Sequence, residues 1–506
     1  MEVLAKPPAF LLRVARALGR IAAWGVLTLL ALFLVALSIN AFDQRPSSTA
    51  LALLNPPENR YKPDENIYVA IAGFDAPSGQ SVIAVGQSRI ADYNEHVDPM
   101  LRDPMAGLKA LPANDPLRLK FEGSIDCCRA REPSFWENVR TNGPKIERLV
   151  SQNHELYLRY LSLLALPGYY ETARPSYLAP MYAVPADARN LFLADVALRL
   201  QSPDVAETEA ALGRLRQDID TWHQMLVGEG TIVSKMIAVA FLQTDSLILS
   251  DAIGDAQFAM PQDMEEFLPR FELSDWNISS AFAAEFRVHA FMYRQTRTLF
   301  DDHWQPPDSS ASGVRRALYV VLGSIEGQFF KLHATENLNA KAMTELAGLA
   351  SLHPATFAAN RARIGKWERD YGNVFSIRTI YNPIGRIFVA IATPVYWNYV
   401  LRPYDAAALQ RLVRLSFEIR RQRIALSSVP AFMKLHPELS THPADGRSFV
   451  WNPTSGEIAI HPIARQPADR PVCRMASRSR RFVRNSPATA DCLRSARASS
   501  RARASG

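Results

Sequence analysis

The chain has 506 residues, of which 48% are hydrophobic and 21% charged, an ordinary composition for a globular protein that excludes a low-complexity chain. Its net charge of +7 is concentrated at the two ends, because residues 470–506 carry +9 and residues 1–20 carry +3, which together exceed the total by five. Residues 21–469 are therefore net acidic, which argues against nucleic acid as a partner.

The N-terminal end contains an apolar run that is long enough to cross a bilayer. Residues 21–42 carry no charge, and about 20 apolar helical residues span a hydrocarbon core of about 30 Å. Arg13, Arg16 and Arg20 precede the run, and such a basic flank stays in the cytoplasm. The pattern predicts a cytoplasmic tail at 1–20, a single-pass inner-membrane helix at 21–42 and a body in the periplasm.

A cleaved signal peptide is the competing interpretation of the same run. Ala36, Leu37 and Ser38 offer small residues at the two positions that a signal peptidase reads. However, the basic segment is long, and the apolar run exceeds the roughly 7–15 residues usual for a signal peptide. We therefore expect retention, and under either interpretation the body leaves the cytoplasm.

The body begins after a linker and is predicted to be helical. Residues 43–63 are rich in Pro and Ser and predict the linker, and residues 64–400 predict a large, irregular helical domain. Within it, Thr231–Ile253 is apolar on most sides, which predicts a central buried helix. The apolar stretch 387–401 is too short, and too interrupted by Pro394, for a second membrane span.

One segment of the body is a candidate interaction surface. Residues 167–187 combine four Pro with four Tyr, namely Tyr169, Tyr170, Tyr177 and Tyr182. Two interpretations are open: an ordered loop draped over helices, or an aromatic surface that binds a ligand or partner.

Two pairs of residues could carry chemistry. Glu285 and His289 are four residues apart on a predicted aromatic helix at 278–300, so they share a face on which the carboxylate could raise the pKa of the histidine. A structural polar pair is the plainer interpretation. Cys127 and Cys128 could form a vicinal disulfide or react with a partner disulfide, whereas inert or structural thiols are the alternative that the surroundings favour.

The C-terminal part changes character. Residues 401–465 predict an amphipathic helix followed by a small β-hairpin, with turns at Asp445-Gly446 and at NPTSG. Residues 466–506 are rich in Arg, Ser and Ala without periodicity, which predicts disorder and leaves open an origin outside the native reading frame.

Several segments together resemble a group of uncharacterised, membrane-anchored, mostly helical proteins of proteobacteria. They are DENIYVAIAGFDAP, the helix at 145–166, IVSKMIAVAFLQ, YNPIGRIFVAIATPVY, RPYDAAALQRLVRL and HPADGRSFVWNPTSGEIAI. The resemblance covers most of residues 60–462. It implies an inner-membrane location with a periplasmic body, and it implies no activity.

The sequence contains no catalytic motif, no cofactor fingerprint and no metal-ligand spacing. We therefore expect a scaffold or interaction role in the cell envelope, with a protein partner and one membrane span. A periplasmic hydrolase with an interhelical active site, or a sensor that binds a small ligand on the Tyr/Pro segment, are the alternatives.

Overall fold

The computed structural model describes residues 9–103, 117–130, 132, 134–176, 183–303, 313, 327–356, 360–372, 377–392, 396–463 and 472–474. It confirms the predicted fold class, which is mainly α with a long N-terminal apolar helix and a small antiparallel hairpin near the C-terminus.

The first half of the chain forms nine described helices. They are α1 Ala9–Ile39, α2 Ser48–Leu54, α3 Ile67–Ala72, α4 Val82–Met100, α5 Phe135–Thr141, α6 Gly143–Gln152, α7 His154–Leu163, α8 Ala183–Leu200 and α9 Val205–Val227. The stretch 64–74 is apolar and β-branched, so its pattern suits a strand as well as a helix, and it contains the helix α3.

The second half contributes the remaining helices and the strands. The helices are α10 Ile232–Gly254, α11 Met264–Phe267, α12 Ala281–His303, α13 Leu332–Ala350, α14 Arg361–Gly372, α15 Pro383–Ala392, α16 Tyr396–Arg421, α17 Val429–Leu435 and α18 Pro437–Ser440. The strands are β1 Val450–Asn452, β2 Glu457–Ala459 and β3 Val472–Arg474, in the antiparallel order β1-β2-β3.

Three described stretches are long and apolar enough to cross a membrane, but their surroundings differ. Ala17–Ile39 of α1 has no buried residue in its most apolar window, so its apolar side chains are exposed. Ile232–Gly254 is 61% buried and is packed against α9 and α16. The third, Pro383–Arg421, covers both α15 and α16 and is one-third buried. We treat α1 as the span and the other two as parts of the body.

Helix α10 lies at the centre of the body, as its apolar sequence predicts. It contacts α16, α9, α12 and α8, and most of its side chains are buried. Two of those side chains, Lys235 and Asp245, are ionisable and fully buried. Since a buried charge is costly unless it is paired or neutralised, neighbouring helices must compensate both groups.

The compensation for Asp245 is a buried cluster with Arg189 of α8 and Asp218 of α9. The Arg189 guanidinium contacts both carboxylates, at 2.7 Å from Asp218 Oδ2, and lies 4.2 Å from the centre of the Phe241 ring. Burial raises the pKa of Asp245 well above its usual range. With Asp245 neutral through its proton, the negative charge of Asp218 balances the positive charge of Arg189.

The predicted linker is bound to the body. Within 43–63, helix α2 is capped by Ser47 and packs against α12 and α13. The carboxylate of Asp43 accepts hydrogen bonds from the first backbone amides of α13, at 2.9 and 3.0 Å. The Pro and Ser content therefore reflects helix caps and turns rather than a free tether.

The C-terminal region is continuous with the rest of the body. A boundary at residue 400 falls inside α16, which packs along α10. Among the arginines of this amphipathic helix, Arg421 is exposed, whereas Arg420 donates to the carbonyls of Ile253 and Asp255, at 2.7 Å each, at the end of α10. Strand β3 lies within the segment 466–506 and pairs with β2, and the rest of that segment lies outside the described residues.

The charge balance of the Arg189 cluster is testable. Arg189→Met should lower the free energy of unfolding by about 3–5 kcal/mol, because Asp218 loses its buried partner. Asp245→Asn replaces a neutral carboxyl by a neutral amide of the same shape and should change it by less than about 1 kcal/mol. Chemical denaturation of the detergent-solubilised chain measures both. An equally large loss in Asp245→Asn would mean that Asp245 is ionised.

Candidate functional site

Two cavities lie side by side where α12 crosses the beginning of α10. Val233 of α10 and Glu285 of α12 line both of them. We name them by their lining, as the apolar cavity and the polar cavity.

The apolar cavity has a volume of about 830 Å³, within the range of roughly 300–1,000 Å³ usual for ligand sites. Its walls come from α8, α10, α12, α15 and α16, and most of them are aliphatic or aromatic. Those lining residues are Ala186, Ile232, Val233, Met236, Ile237, Ala240, Phe241, Ile391, Ala392, Tyr396 and Tyr399. The polar groups on its wall are few and include Arg189, Thr244 and Glu285.

The polar cavity has a volume of about 490 Å³ and is lined on one side by the Tyr/Pro segment, residues 170–176. Its charged side chains are Asp98, Glu171, Arg174, Glu229, Glu285, Arg287 and Arg294. Most of them are paired: Arg174 with Asp98 at 2.7 Å, Arg287 with Glu229, and Arg294 with Glu336 at 3.2 Å. Glu171 accepts hydrogen bonds from Tyr169 and from the backbone amide of Thr231.

Glu285 is the group that the two cavities share. Its Oε1 accepts a hydrogen bond of 2.7 Å from the backbone N–H of Ile232, the first residue of α10. Protein surrounds it except where the cavities reach it, and this burial raises the pKa of Glu285 to about 7. The carboxylate of Glu171 adds to the rise, whereas the Ile232 bond opposes it. Glu285 thus changes charge near neutral pH.

Glu285 and His289 are connected through a third residue that sequence spacing did not reveal. The hydroxyl of Tyr396 is hydrogen bonded to Glu285 and lies 2.8 Å from His289 Nε2. Burial lowers the pKa of His289 to about 4, the opposite of the direction that a direct carboxylate contact would give. The ring is therefore neutral at pH 7.

The tautomer of His289 follows from its other neighbour. The amide Nδ2 of Asn339 lies 3.1 Å from His289 Nδ1 and can only donate. Nδ1 is then the acceptor, so Nε2 carries the proton and donates it to the Tyr396 oxygen. Tyr396 in turn donates to Glu285, which gives a directed chain of hydrogen bonds that ends at the cavity wall.

Lys235 lies on α10 two residues after Val233 of the shared wall. Its ammonium donates to the carbonyl of Met225 at 3.0 Å and to that of Gly228, at the C-terminal end of α9. Helix C-termini favour cations. Burial nevertheless lowers the pKa of Lys235 to about 8, against the pull of Glu171 and Glu229.

The other candidate residues have separate locations. Tyr169 is buried against Tyr68, with ring centres 6.0 Å apart, and Tyr170 donates to the carbonyl of Pro57 at 2.6 Å while lining the polar cavity. The predicted surface residues Tyr177 and Tyr182 lie outside the described residues. Of the predicted aromatic surface, the structure thus places Tyr170 at the polar cavity, and residues 171–176, which include the charged Glu171 and Arg174, form the rest of that wall.

Cys127 and Cys128 are free thiols that line neither cavity. Burial, together with Cys127, raises the pKa of Cys128 to about 12, so Cys128 is not a thiolate at neutral pH. This environment supports the structural interpretation of the pair.

In the part of the chain that the structure describes, no three His, Cys, Asp or Glu side chains are grouped as a metal ion would require. Comparison of the chain with protein-family models, curated proteins and solved structures found no match.

The pKa of Glu285 has a consequence for stability. The folded state holds a proton up to about pH 7, whereas the unfolded carboxyl releases it near 4.5, so the stability should fall as pH rises from 4.5 to 7. The fall amounts to about 3 kcal/mol at most. Unfolding midpoints against pH should show this slope in the wild type and in the exposed control Glu147→Gln, and not in Glu285→Gln. An unchanged slope in Glu285→Gln would exclude the assignment.

Proposed function

We propose that this chain is a membrane-anchored binding protein for a small amphiphilic ligand, held across the two cavities with its polar group at Glu285. The observation that carries the proposal is the shared wall: a mostly apolar cavity and a charged cavity meet at one buried carboxyl group.

The apolar cavity supplies affinity. Its aliphatic and aromatic walls suit a hydrocarbon chain, and each methylene group removed from water contributes about 0.8 kcal/mol. A flexible chain loses conformational freedom on binding, so only part of this energy appears as affinity. The cavity is therefore suited to a chain of several methylenes rather than to a compact polar metabolite.

The polar cavity and Glu285 supply orientation. When protonated, Glu285 can donate a hydrogen bond to a headgroup, and when ionised it can only accept one. Since its pKa is about 7, small changes of pH or of ligand charge would switch between these states. Binding should therefore depend on pH, which suits a sensor or carrier in a compartment whose pH follows the surroundings.

The N-terminal helix supports the proposed location. Helix α1 is long and apolar enough to span a membrane, and the basic residues that precede its apolar run favour a cytoplasmic N-terminus. The resemblance to membrane-anchored proteobacterial proteins supports an inner membrane and a periplasmic body. An envelope scaffold with a protein partner stays a prediction, compatible with ligand binding.

Hydrolysis of the bound amphiphile is a second candidate, favoured by the position and the pKa of Glu285. The ionised carboxyl could take a proton from water as the water oxygen attacks an ester carbonyl, and return that proton to the leaving alcohol. The Tyr396–His289 chain of hydrogen bonds would hold the carboxyl in place.

Native mass spectrometry of the detergent-solubilised chain with a myristoyl lysophospholipid tests the proposal. The wild type should retain the lipid, and Ala240→Phe, which fills the apolar cavity, should lose most of it. Ala210→Phe places the same side chain on the exposed face of α9 and should bind as the wild type does. Equal retention by Ala240→Phe would contradict the proposed site. Progressive loss of the acyl chain from the bound lipid would favour the hydrolase.

The topology is tested separately. A periplasm-dependent phosphatase fused directly after Phe42 should be active in a bacterial host, and the mature chain should keep its original N-terminus. An inactive fusion would reverse the orientation, and a new N-terminus near Ser38 would show that the helix is cleaved.

A further inference from the structure

We propose that helix α15 lies on the bilayer surface with Ile387 and Ile391 in contact with lipid, and that the apolar cavity opens there to admit a membrane lipid sideways. The entry route rests on the proposed ligand-binding function, whereas the bilayer contact of α15 stands on observations of its own.

The outer face of α15 is apolar and exposed. Ile387 is 43% and Ile391 70% exposed, and their spacing of four residues places both on one side of the helix. Soluble helices normally present polar side chains to water. Ile380, just before α15, is 42% exposed as well. The combination is typical of a helix that lies in a membrane interface.

The inner face of α15 fixes it firmly to the body. Phe388 stacks on Tyr293, with ring centres 6.4 Å apart, and meets Phe330 edge-on at 5.8 Å. A Cβ on Gly385 would lie 1.9 Å from Thr335 Oγ1 of α13, so only glycine permits this approach. The exposed isoleucines therefore cannot turn inward without breaking these contacts.

The turn before α15 is joined directly to the end of α1. The side chain of Asn40 donates to the carbonyl of Ile380 and accepts from the backbone N–H of Asn382, both at 2.7 Å. Asn382 has a left-handed backbone, with φ of 53°, and its side chain is bonded to α13 through Thr335 and Lys331. The position of α15 relative to the spanning helix is thus set by buried hydrogen bonds.

The contact between α1 and the body extends along α1 toward the membrane. Phe33 lies 6.2 Å from Phe329, two turns before Asn40 along the helix. Helix α15 has 10 residues and is about 15 Å long, so none of its side chains is far from the apolar end of α1. Continuity with the span identifies lipid, rather than a protein, as the partner of this face.

The apolar cavity extends to the exposed end of α15. Ile391 and Ala392, at the end of α15, line the apolar cavity, and Ile391 is also the most exposed isoleucine of the face. A lipid acyl chain that leaves the bilayer beside Ile391 would enter the cavity without crossing water. The ligand class that follows is a membrane lipid with at least one free-moving acyl chain.

The test uses the full chain in lipid nanodiscs that contain a phospholipid with a photoactivatable acyl chain. Crosslinks are located by fragmentation of the tryptic peptide that begins at Ile387 and of the peptide that contains Leu435. We expect labelling on α15 and a severalfold loss in the double variant Ile387→Ser, Ile391→Ser. Leu435, which is 77% exposed on α17, should stay unlabelled, and Leu435→Ser should leave the labelling of α15 unchanged.

Labelling of α15 no stronger than that of α17 would overturn the bilayer contact. Lateral entry predicts additional crosslinks inside the cavity, at Tyr399, that disappear in Ala240→Phe while those on α15 remain. Labelling on α15 with none at Tyr399 would reject the entry route and keep the surface contact. Because the proposed function is tested in detergent with added lysophospholipid, it can fail or hold independently of either result.

Discussion

The buried ionisable groups of α10 and its neighbours constrain the rest of the body. An apolar helix that carries Lys235 and Asp245 can be central only if other helices compensate both groups, and α8 and α9 supply the partners. Asp245 requires Arg189 from α8 and Asp218 from α9, and Lys235 requires the carbonyl groups that end α9. These contacts fix how α8 and α9 lie against α10. The cavities lie beside this arrangement and share a wall where α12 crosses α10, and α8, α15 and α16 complete the apolar one.

Glu285 is a further buried ionisable group packed against α10, and its role differs from those of Lys235 and Asp245. It satisfies the first backbone N–H of α10, a group that no helix can satisfy internally, and it also faces two cavities. A glutamine would satisfy that N–H equally well. What a carboxyl adds is a proton that it can hold or release near pH 7, and the proposed function depends on this difference. In the proposed arrangement, α1 and α15 place the same cavity next to the membrane.

Fold class and the central helix could be predicted from the sequence, because an unbroken apolar pattern requires burial whatever its partners are. The spacing of Glu285 and His289 likewise predicted a shared helix face. It could not predict Tyr396, which is more than 100 residues away and reaches the pair only through the packing of α16 on α12. Sequence likewise does not show the backbone carbonyls to which Arg414 and Arg420 of α16 donate.

The cavities themselves have no sequence signature. Their walls combine residues from five or more separate segments, and an aliphatic residue that lines a cavity has the same local pattern as one in a filled core. The Tyr/Pro segment was the exception, since its composition predicted either an ordered loop over helices or an aromatic binding surface. The structure places residues 170–176 of the segment at the polar cavity, whereas Tyr169 is buried in the core.

An experimental density map of the full chain, extracted from its native membrane in lipid discs without detergent exchange, tests the central claim most directly. The account predicts elongated density in the apolar cavity, beginning beside Ile391 and ending within hydrogen-bond distance of Glu285. A cavity that is empty or closed by repacked side chains, in a map that resolves α10 and α12, would contradict it.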